Sequence, residues 1–388
     1  MSVIYWDNNA TTPCAPEVVE AMEPYWNVKF ANASSSHLAG RTAMIAIKKA
    51  REQVATLANC LPKEIVFTSG ATESNNILFL GILLTPNLER KQIVVSAIEH
   101  KSILEPAKLL EKHGFDIVKL PVTPNGVVDL EQAQKLITSK SLLVSVQAAN
   151  NEIGTIQPIK ELCNFAHDAG AYFHTDAAQT LGKVPFDVDD INCDFASFSA
   201  HKMYGPKGVG ALFIRGGAKR WPWEKPLNGG GQEMGIRPGT SNVPAIVGFG
   251  KACEIACSSN CNRYVEVLKH RELLEEEILN RFNGSLINAN MEQRLPTVVS
   301  VTFSDIDADV LIDSLIGLFI SNGAACSGST LTQSHVLAEL GVLAEEAKRT
   351  IRISIGAETS YDEIVSGLNL LSNACSEIKQ CFKESNNA

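Results

Sequence analysis

The sequence predicts an α/β fold with a mostly parallel central sheet and a smaller α+β domain beside it. Between about residues 38 and 260, short β-rich runs alternate with helical patterns, which is typical of a sheet covered on both faces. After about residue 260 the sequence pattern changes and predicts long charged helices and a few separate strands. The length of 388 residues also favours two domains over one core.

The large domain is predicted over residues 14–260. Its strands are predicted in the runs EIVFTSG, QIVVSA, DIVKLPV, SLLVSVQAAN, AYFHTDA, DFASFSAHK and VGALFI. Amphipathic helices are predicted between them, as in LAGRTAMIAIKKAREQVATLANC and IKELCNFAHDAG. The small domain is predicted to combine residues 1–13 with residues 261–388, because the first dozen residues are expected to pack back onto it.

Composition excludes several classes of protein. The net charge is −9 and the pI is about 5.5, whereas a nucleic-acid surface usually needs a basic excess. We therefore expect no direct nucleic-acid binding. No run of 18 apolar residues predicts a membrane span, and the start MSVIYWDNNATTP does not resemble a secretory signal. A cytoplasmic location is expected, in which the ten cysteines stay mostly reduced.

Three cysteines are spaced by four residues in ACEIACSSNC. Cys253, Cys257 and Cys261 would lie roughly on one face of a helix. A metal or cluster site is one interpretation. Small core residues that happen to be cysteine are the other, and we favour it, so no metal is predicted.

Polar residues follow the predicted strands at the edge where doubly wound sheets bind ligands. In FTSGATESNN a strand ends at Ser69-Gly70 and a helix begins at Ala71 or Thr72. The free N–H groups and dipole of that helix would hold an anion such as phosphate. A routine strand–turn–helix junction with Ser/Thr capping is the alternative.

Asp176 and Lys202 end two apolar runs, in HTDAAQ and SFSAHK. A buried carboxylate and a buried lysine are both costly, so either they form a structural ion pair or they serve chemistry. Pyridoxal 5′-phosphate (PLP) needs a lysine for its aldehyde, a carboxylate for its pyridine nitrogen and an anion cup. Gln179 is placed to reach the ring hydroxyl. His100, after VVSAIE, is placed to stack on the ring or move protons.

With these residues in view, the chain resembles the NifS/IscS-type cysteine desulfurases of the class V aminotransferase superfamily, whose fold is PLP fold type I with a seven-stranded sheet. The resemblance runs nearly from end to end. It rests on the motifs YWDNNATTP, FTSGATESNN, IEHKSIL, NNEIGTIQPI, HTDAAQTLGK, SAHKMYGPKGVGALF, GGGQEMGIRPGTSN, GAACSGST and RTIRISIG.

The resemblance implies roles for the matching positions. Lys202 forms the Schiff base with PLP and later moves protons, Asp176 pairs with the pyridine nitrogen, and His100 stacks on the ring. Arg352 and Asn32 are implied to bind the substrate carboxylate, with Asn151 beside them. The remaining cofactor contacts are implied for Ala71, Thr72, Asn151, Gln179, Ser199, His201 and Thr240. Thr240 would serve the neighbouring subunit's site, because the family works as homodimers.

The implied reaction converts L-cysteine to L-alanine. Cys326, in a loop at about residues 322–335, would take the sulfur as a persulfide and pass it to an acceptor protein, as in iron–sulfur cluster assembly. The thiol needs deprotonation, for which His100 and substrate groups are both candidates. The segment ANASSSH departs from the family's glycine-asparagine-proline-serine-serine element, which leaves the substrate fit at Asn32 open.

Other functions fit the same scaffold. An aminotransferase would need no thiol at position 326, and a selenocysteine lyase or cysteine C–S lyase would release its product without a protein persulfide. An inactive relative that only binds a partner is a third alternative. The set of Lys202, Asp176, Gln179 and His100 argues against it.

Overall fold

The architecture is that of a computed structural model, which describes residues 3–259, 263–290, 292–322 and 334–386. Cys326 and most of its predicted loop lie outside the described residues, as does Cys261.

A seven-stranded sheet forms the centre of the large part of the molecule. Its strands run in the order β2-β8-β7-β6-β5-β3-β4. Neighbouring pairs are parallel except for the two pairs that involve β8, which runs opposite to the others. The strands are β2 (Ile65–Thr68), β3 (Gln92–Ser96), β4 (Asp116–Leu120), β5 (Ser141–Ser145), β6 (Tyr172–Asp176), β7 (Phe195–Ser199) and β8 (Gly210–Ile214).

Helices cover both faces of this sheet, and each face has its own hydrophobic core. Most residues of the central strands are buried, as the near-continuous apolar runs predicted. The helices of this part are α1 (Pro16–Met22), α2 (Pro24–Asn27), α3 (Leu38–Ala58), α4 (Ala71–Leu84), α5 (Lys101–Lys112), α6 (Leu130–Leu136), α7 (Ile159–Asp168), α8 (Val188–Ile191) and α9 (Val243–Ser258).

A second, smaller unit has an antiparallel sheet in the order β12-β13-β10-β9. Its strands are β9 (Leu286–Ile287), β10 (Val298–Thr302), β11 (Leu318–Phe319, paired outside this sheet), β12 (Ser321–Asn322) and β13 (Thr350–Ser354). Its helices are α10 (Arg263–Arg281), α11 (Ala308–Ser314), α12 (His335–Glu339), α13 (Ala344–Ala347) and α14 (Tyr361–Asn386).

The N-terminal segment joins this smaller unit. Strand β1 (Ile4–Tyr5) pairs in parallel with β11, and the fully buried Trp6 packs in the core formed by residues of the C-terminal part. The chain then runs to Asn8 and Asn9, which hydrogen-bond to Ser354 at the end of β13. The first residues therefore lead from the small core directly to the edge of the large sheet. The domain boundaries at residues 13/14 and 260/261 stay a prediction.

Neither a membrane span nor a metal cluster is found in the described parts of the chain. Their helices lack the combination of length and apolar composition that a bilayer crossing needs. In the same residues, no three His, Cys, Asp or Glu side chains are grouped to hold a metal ion. Cys253 is buried in the core beside the large sheet.

Candidate active site

A cavity of about 540 Å³ lies at the carboxyl ends of the parallel strands of the large sheet. Strands β2, β3, β6 and β7 each lead into a turn that reaches it, as expected for a doubly wound sheet. Its volume suits a small cofactor with its substrate. Predicted site residues that line it are Ala71, Thr72, His100, Asn151, Asp176, Gln179, Ser199, His201 and Lys202.

One end of the cavity is the N-terminus of α4. No side chain caps this helix at Gly70, which leaves backbone N–H groups of its first turn available, and Gly70, Ala71 and Thr72 line the cavity. Ser199 and His201 line the same space. A Cβ on Gly210 would lie 2.6 Å from the Gly70 Cα, so glycine at 210 lets β8 approach this turn. The arrangement is suited to an anion.

Asp176 ends β6 and is 7% exposed. Its Oδ1 accepts the Ala178 N–H at 3.0 Å, and its Oδ2 accepts from the Asn75 side chain at 2.8 Å. Asn75 also donates to Ser102 Oγ at 2.8 Å. The carboxylate is therefore held by neutral donors rather than by an ion pair with Lys202, so the structural ion pair is not formed.

His100 is the N-cap of α5. Its Nδ1 accepts the Ser102 N–H at 3.1 Å and lies 2.8 Å from Ser102 Oγ. Because Nδ1 is an acceptor here, a neutral ring carries its proton on Nε2. Ser102, through Asn75, links this imidazole to Asp176.

Lys202 ends a short 3₁₀ helix, Ala200–Lys202, that directly follows β7. Its Nζ donates to the carbonyl oxygens of Asn9 and Ala10 at 2.6 and 2.7 Å. The amine is thus held by backbone from the N-terminal segment while its side chain lines the cavity.

Three lysines act on His201, which lines the cavity. Burial, followed by the charges of Lys202, Lys207 and Lys183, lowers the pKa of His201 to about 4. His201 is therefore neutral at pH 7, and its Nδ1 lies 3.1 Å from Thr11 Oγ1. Although the whole chain carries a net charge of −9, the part of the cavity near His201 favours an anionic ligand group.

Arg352 lies on β13 and is 1% exposed. Its guanidinium donates to Asp7 Oδ1 at 2.6 Å and to the Asn151 carbonyl at 3.3 Å. Its Nε is buried without a hydrogen-bond partner. The predicted carboxylate-binding arginine is therefore already paired with a carboxylate of the N-terminal segment.

Two other predicted residues do not line this cavity. Asn32 is exposed, and its Oδ1 accepts the Ser34 N–H at 2.9 Å. Thr240 is also exposed, in the segment between β8 and α9. The structure does not bring either of them together with Lys202 in one chain.

Sequence reasoning missed several residues that hold the site together: Asp7, Asn9, Asn75, Ser102 and Lys183. Each lies within a quoted motif, but none follows a strand directly. Helical spacing offered a signal for Asn75, which is four residues after Ala71 and so on the same side of α4. No comparable signal pairs Asp7 with Arg352, which are 345 residues apart.

Two buried carboxyl groups flank the site. Burial raises the pKa of Glu99 well above its usual range, and its Oε1 accepts the Gln147 N–H at 2.6 Å. Burial also raises the pKa of Glu152 to about 7, and Glu152 accepts a hydrogen bond from Ser334 at 2.5 Å. Glu152 thus ties the turn at Asn151 to the residue that precedes α12.

The residues present fit PLP. An uncapped helix N-terminus offers a phosphate site, a buried aspartate offers an acceptor for a protonated ring nitrogen, and a lysine amine lines the same cavity. Gln179, 6% exposed, adds an amide on the cavity wall.

Comparison with known proteins agrees with this site. The family model described as Aminotransferase class-V matches residues 4–366. The cysteine desulfurase IscS of Dictyoglomus turgidum is 40% identical over 378 residues, covering 97% of this chain and 95% of the relative.

Solved structures give the same result. A NifS-like protein superposes with a TM-score of 0.90 at 38% identity, covering 96% of this chain and 99% of the other. SspA in complex with cysteine has a TM-score of 0.80 at 38% identity, covering 91% and 98%. The predicted fold class and the predicted PLP cofactor are confirmed, since this family is PLP-dependent. The chain therefore belongs to the NifS/IscS-like cysteine desulfurases of the class-V aminotransferase family.

Proposed function

We propose that this chain converts L-cysteine to L-alanine with PLP and stores the sulfur on Cys326 for transfer to an acceptor protein. The observation that carries the proposal is the convergence of Lys202, Asp176 and the α4 N-terminus on one cavity. The relatives named cysteine desulfurase support the choice of reaction. The structure titled SspA in complex with cysteine supports the choice of substrate.

Bound PLP supplies an electron sink for charge that develops at the substrate Cα. The chain's own residues orient it. Asp176 is fixed by the Asn75 side chain and the Ala178 N–H, and its carboxylate would accept a hydrogen bond from the protonated ring nitrogen. The first N–H groups of α4, with Ser199 and His201, would hold the phosphate, and His100, which lines the same cavity, would contact the ring.

Lys202 moves the proton at the substrate Cα. Its amine is held by two carbonyl oxygens of the N-terminal segment, so it stays beside the cavity when it is not bonded to the cofactor. Those two acceptors fix the position of the amine, as a group that transfers protons at one carbon requires.

Arg352 binds the substrate carboxylate, with Asn151 beside it, whereas Asn32 does not line this cavity in one chain. A guanidinium can form a two-pronged contact with a carboxylate. Because Asp7 already occupies one side of Arg352, the substrate shares or displaces that contact. We expect this exchange to make the KM for L-cysteine sensitive to Asp7.

The sulfur step is balanced without an external oxidant. The Cys326 thiolate attacks the substrate sulfur, an S–S bond forms as the Cβ–S bond breaks, and a proton is delivered to the carbon to give alanine. The product on the enzyme is a Cys326 persulfide. Its terminal sulfur passes to the thiol of an acceptor protein, such as a scaffold of iron–sulfur cluster assembly.

We also propose a homodimer, in which Thr240 of each subunit reaches the phosphate site of the other. Thr240 is exposed in one chain, which is consistent with a role toward a second chain. Large apolar side chains from the region of α1 to α3 are more than half exposed, as an interface with a second copy would require. They are Val19, Trp26, Val28, Phe30, Leu38 and Ile45.

The test is the reaction of the purified protein with L-cysteine. The protein should absorb at about 390–430 nm, the range expected for PLP on a lysine. It should release alanine and carry a persulfide that mass spectrometry maps to Cys326. The Cys326→Ala variant should lose both products, whereas a matched control at the exposed Cys381, Cys381→Ala, should keep them.

Three outcomes would redirect the proposal. Full alanine production by Cys326→Ala would exclude the persulfide mechanism. Pyruvate in place of alanine would indicate elimination by a C–S lyase. A wild-type protein that does not absorb in this range when supplied with PLP would favour an inactive relative.

A further inference from the structure

A second lysine, Lys183, is buried beside the candidate active site and has no role in the reaction described above. It is 2% exposed and lies in the turn that follows β6. Its Nζ donates to Gln179 Oε1 at 2.7 Å and to Asn9 Oδ1 at 3.3 Å. In the described part of the chain it forms no ion pair with a carboxylate. The charges that act on it are those of two cations, Lys202 and Arg352.

Burying a lysine without a counter-ion costs folding free energy, so a functional role for Lys183 is the interpretation we pursue. Burial lowers the pKa of Lys183 well below its usual range, and the two cations lower it further. Both protonation states of the amine keep at least two N–H donors. The two hydrogen bonds to amide oxygens are therefore available in either state.

Those bonds determine which way the Gln179 amide points. The oxygen end accepts from Lys183, and the nitrogen end donates to the Asn9 carbonyl at 3.0 Å. A carbonyl oxygen can only accept, so it requires the NH₂ end of the amide. The two partners thus specify the same orientation, and they leave the second N–H of Gln179 for the cavity that this side chain lines.

Asn9 connects this arrangement to the reactive amine. Its carbonyl accepts from both Gln179 and Lys202, and its side chain accepts from Lys183. Its Nδ2 donates to the Asn151 carbonyl at 3.1 Å. Through hydrogen bonds, a change at Lys183 therefore acts on Gln179 directly and on Lys202 by way of Asn9, while the charges of the two lysines also act on each other.

We propose that Lys183 is a positioning residue that holds Gln179 with an N–H, rather than an oxygen, facing the phenolic oxygen of the cofactor. The inference rests on the proposed function, since it assumes PLP in this cavity. An N–H donor stabilises the ionised form of that oxygen. Lys183 therefore lowers the midpoint pH at which the absorbance of the bound cofactor changes, and it strengthens cofactor binding.

The first test is the Lys183→Met variant, which keeps the length of the side chain and removes its donors. The absorbance of the PLP-loaded protein is followed from pH 6 to pH 10. We expect the titration midpoint to rise by roughly half a pH unit or more. PLP titrated into the apoprotein should bind several-fold more weakly. Lys160→Met, at a lysine whose side chain is 54% exposed on α7, is the matched control and should change neither value.

A double-mutant cycle separates positioning from simple loss of positive charge. Gln179→Leu removes the amide, so Lys183→Met should add little further shift in that background if Lys183 acts through Gln179. A shift of the same size in both backgrounds would overturn the proposal, because the charge of Lys183 would then act directly. An unchanged midpoint in the single Lys183→Met variant would also overturn it.

If Lys183→Met does not fold, the Gln179→Glu variant tests the same proposal. The carboxylate retains the contact with Lys183 but presents no N–H to the cavity. The midpoint should again rise, and an unchanged midpoint would contradict the proposed role of the donor. Failure of the proposed function has a different signature, because the wild-type protein would then show no cofactor band at about 390–430 nm in any of these experiments.

Discussion

Two histidines in different regions of the molecule have opposite electrostatic environments. His201 lines the cavity among lysines, and burial with those charges lowers its pKa to about 4. His167 lies on α7, on a face of the large sheet away from the cavity. Its Nε2 is 2.9 Å from Asp194 Oδ2, and this bond, with a contact from Cys163, raises its pKa to about 10.

The difference separates a binding region from a structural one. Around His167 the charges are matched, so the ion pair serves stability. Around His201 the nearby lysines Lys202, Lys207 and Lys183 disfavour the protonated imidazole, so that region suits an anionic ligand. The grouping of three lysines around His201 is therefore a better marker of this site than a shifted pKa, which both regions show.

The largest expected effect is at the reactive amine. Lys202→Ala should lower desulfurase activity by roughly 10³-fold or more, because it removes both the group that bonds the cofactor and the group that moves protons. Alanine release from L-cysteine is the measurement. The control is Lys160→Met, in the structural region, which should stay near wild-type activity. If Lys202→Ala kept most of the desulfurase activity, the assignment of the His201 region as the binding region would be contradicted.

Two aspartates extend the comparison. Asp176→Asn should lower activity on the order of 10²-fold, because the neutral amide no longer stabilises a protonated ring nitrogen. Asp194→Asn should keep its activity but lower the free energy of unfolding by about 1–3 kcal/mol, since Asp194 accepts bonds from His167 and the Phe173 N–H. Alanine assays and urea unfolding distinguish the two. Equal losses of activity in Asp176→Asn and Asp194→Asn would contradict the assignment of Asp176 to the active site and Asp194 to a structural role.

The His167–Asp194 pair should stabilise the fold in a defined pH window. The pKa of His167 is about 10 in the folded chain and near 6.5 when unfolded, so the contribution is complete below about pH 6.5 and is lost as the pH rises through 10. Because both side chains are partly exposed, we expect on the order of 1 kcal/mol. Unfolding of His167→Gln and wild type should therefore differ at pH 6 and converge near pH 10.5. A constant difference would contradict this.

His201 should act in the opposite direction and more weakly. Its pKa is about 4 in the folded chain, so the unfolded chain binds more protons between pH 6.5 and 4. Its effect is a loss of stability as the pH falls through that window. Urea unfolding of the PLP-free protein should show a shallower loss for His201→Asn than for wild type. Identical slopes would contradict a neutral His201 in the fold.

The cofactor residues were predicted from local signals. Asp176 and Lys202 each follow a buried apolar run, and parallel strands place their carboxyl ends at one edge, so their meeting at the cavity follows from the strand pattern. The pattern at Ser69-Gly70 likewise predicted the start of α4. These signals did not decide the partner of either residue, since an ion pair between Asp176 and Lys202 was an open alternative to a ligand site.

Arg352 shows why contacts between distant segments could not be predicted from the sequence. Its predicted role needs a carboxylate, but the fold supplies Asp7 through the parallel bridge between Asp7 and Ser354. Such a pair depends on how the N-terminal segment crosses from the small core to the large sheet. Nothing in the local pattern of either segment encodes that crossing.

The order of β-runs and helices predicted an α/β sheet and the edge at which the cavity lies. The residue types at the strand ends predicted that Asp176 and Lys202 meet there, because these features depend on periodicity along the chain. The three-dimensional fold alone brought Asn9 between Lys202 and Gln179, placed Lys183 behind that amide, and gave Arg352 its partner. Those contacts join segments far apart in the chain, so packing between the two units determines them.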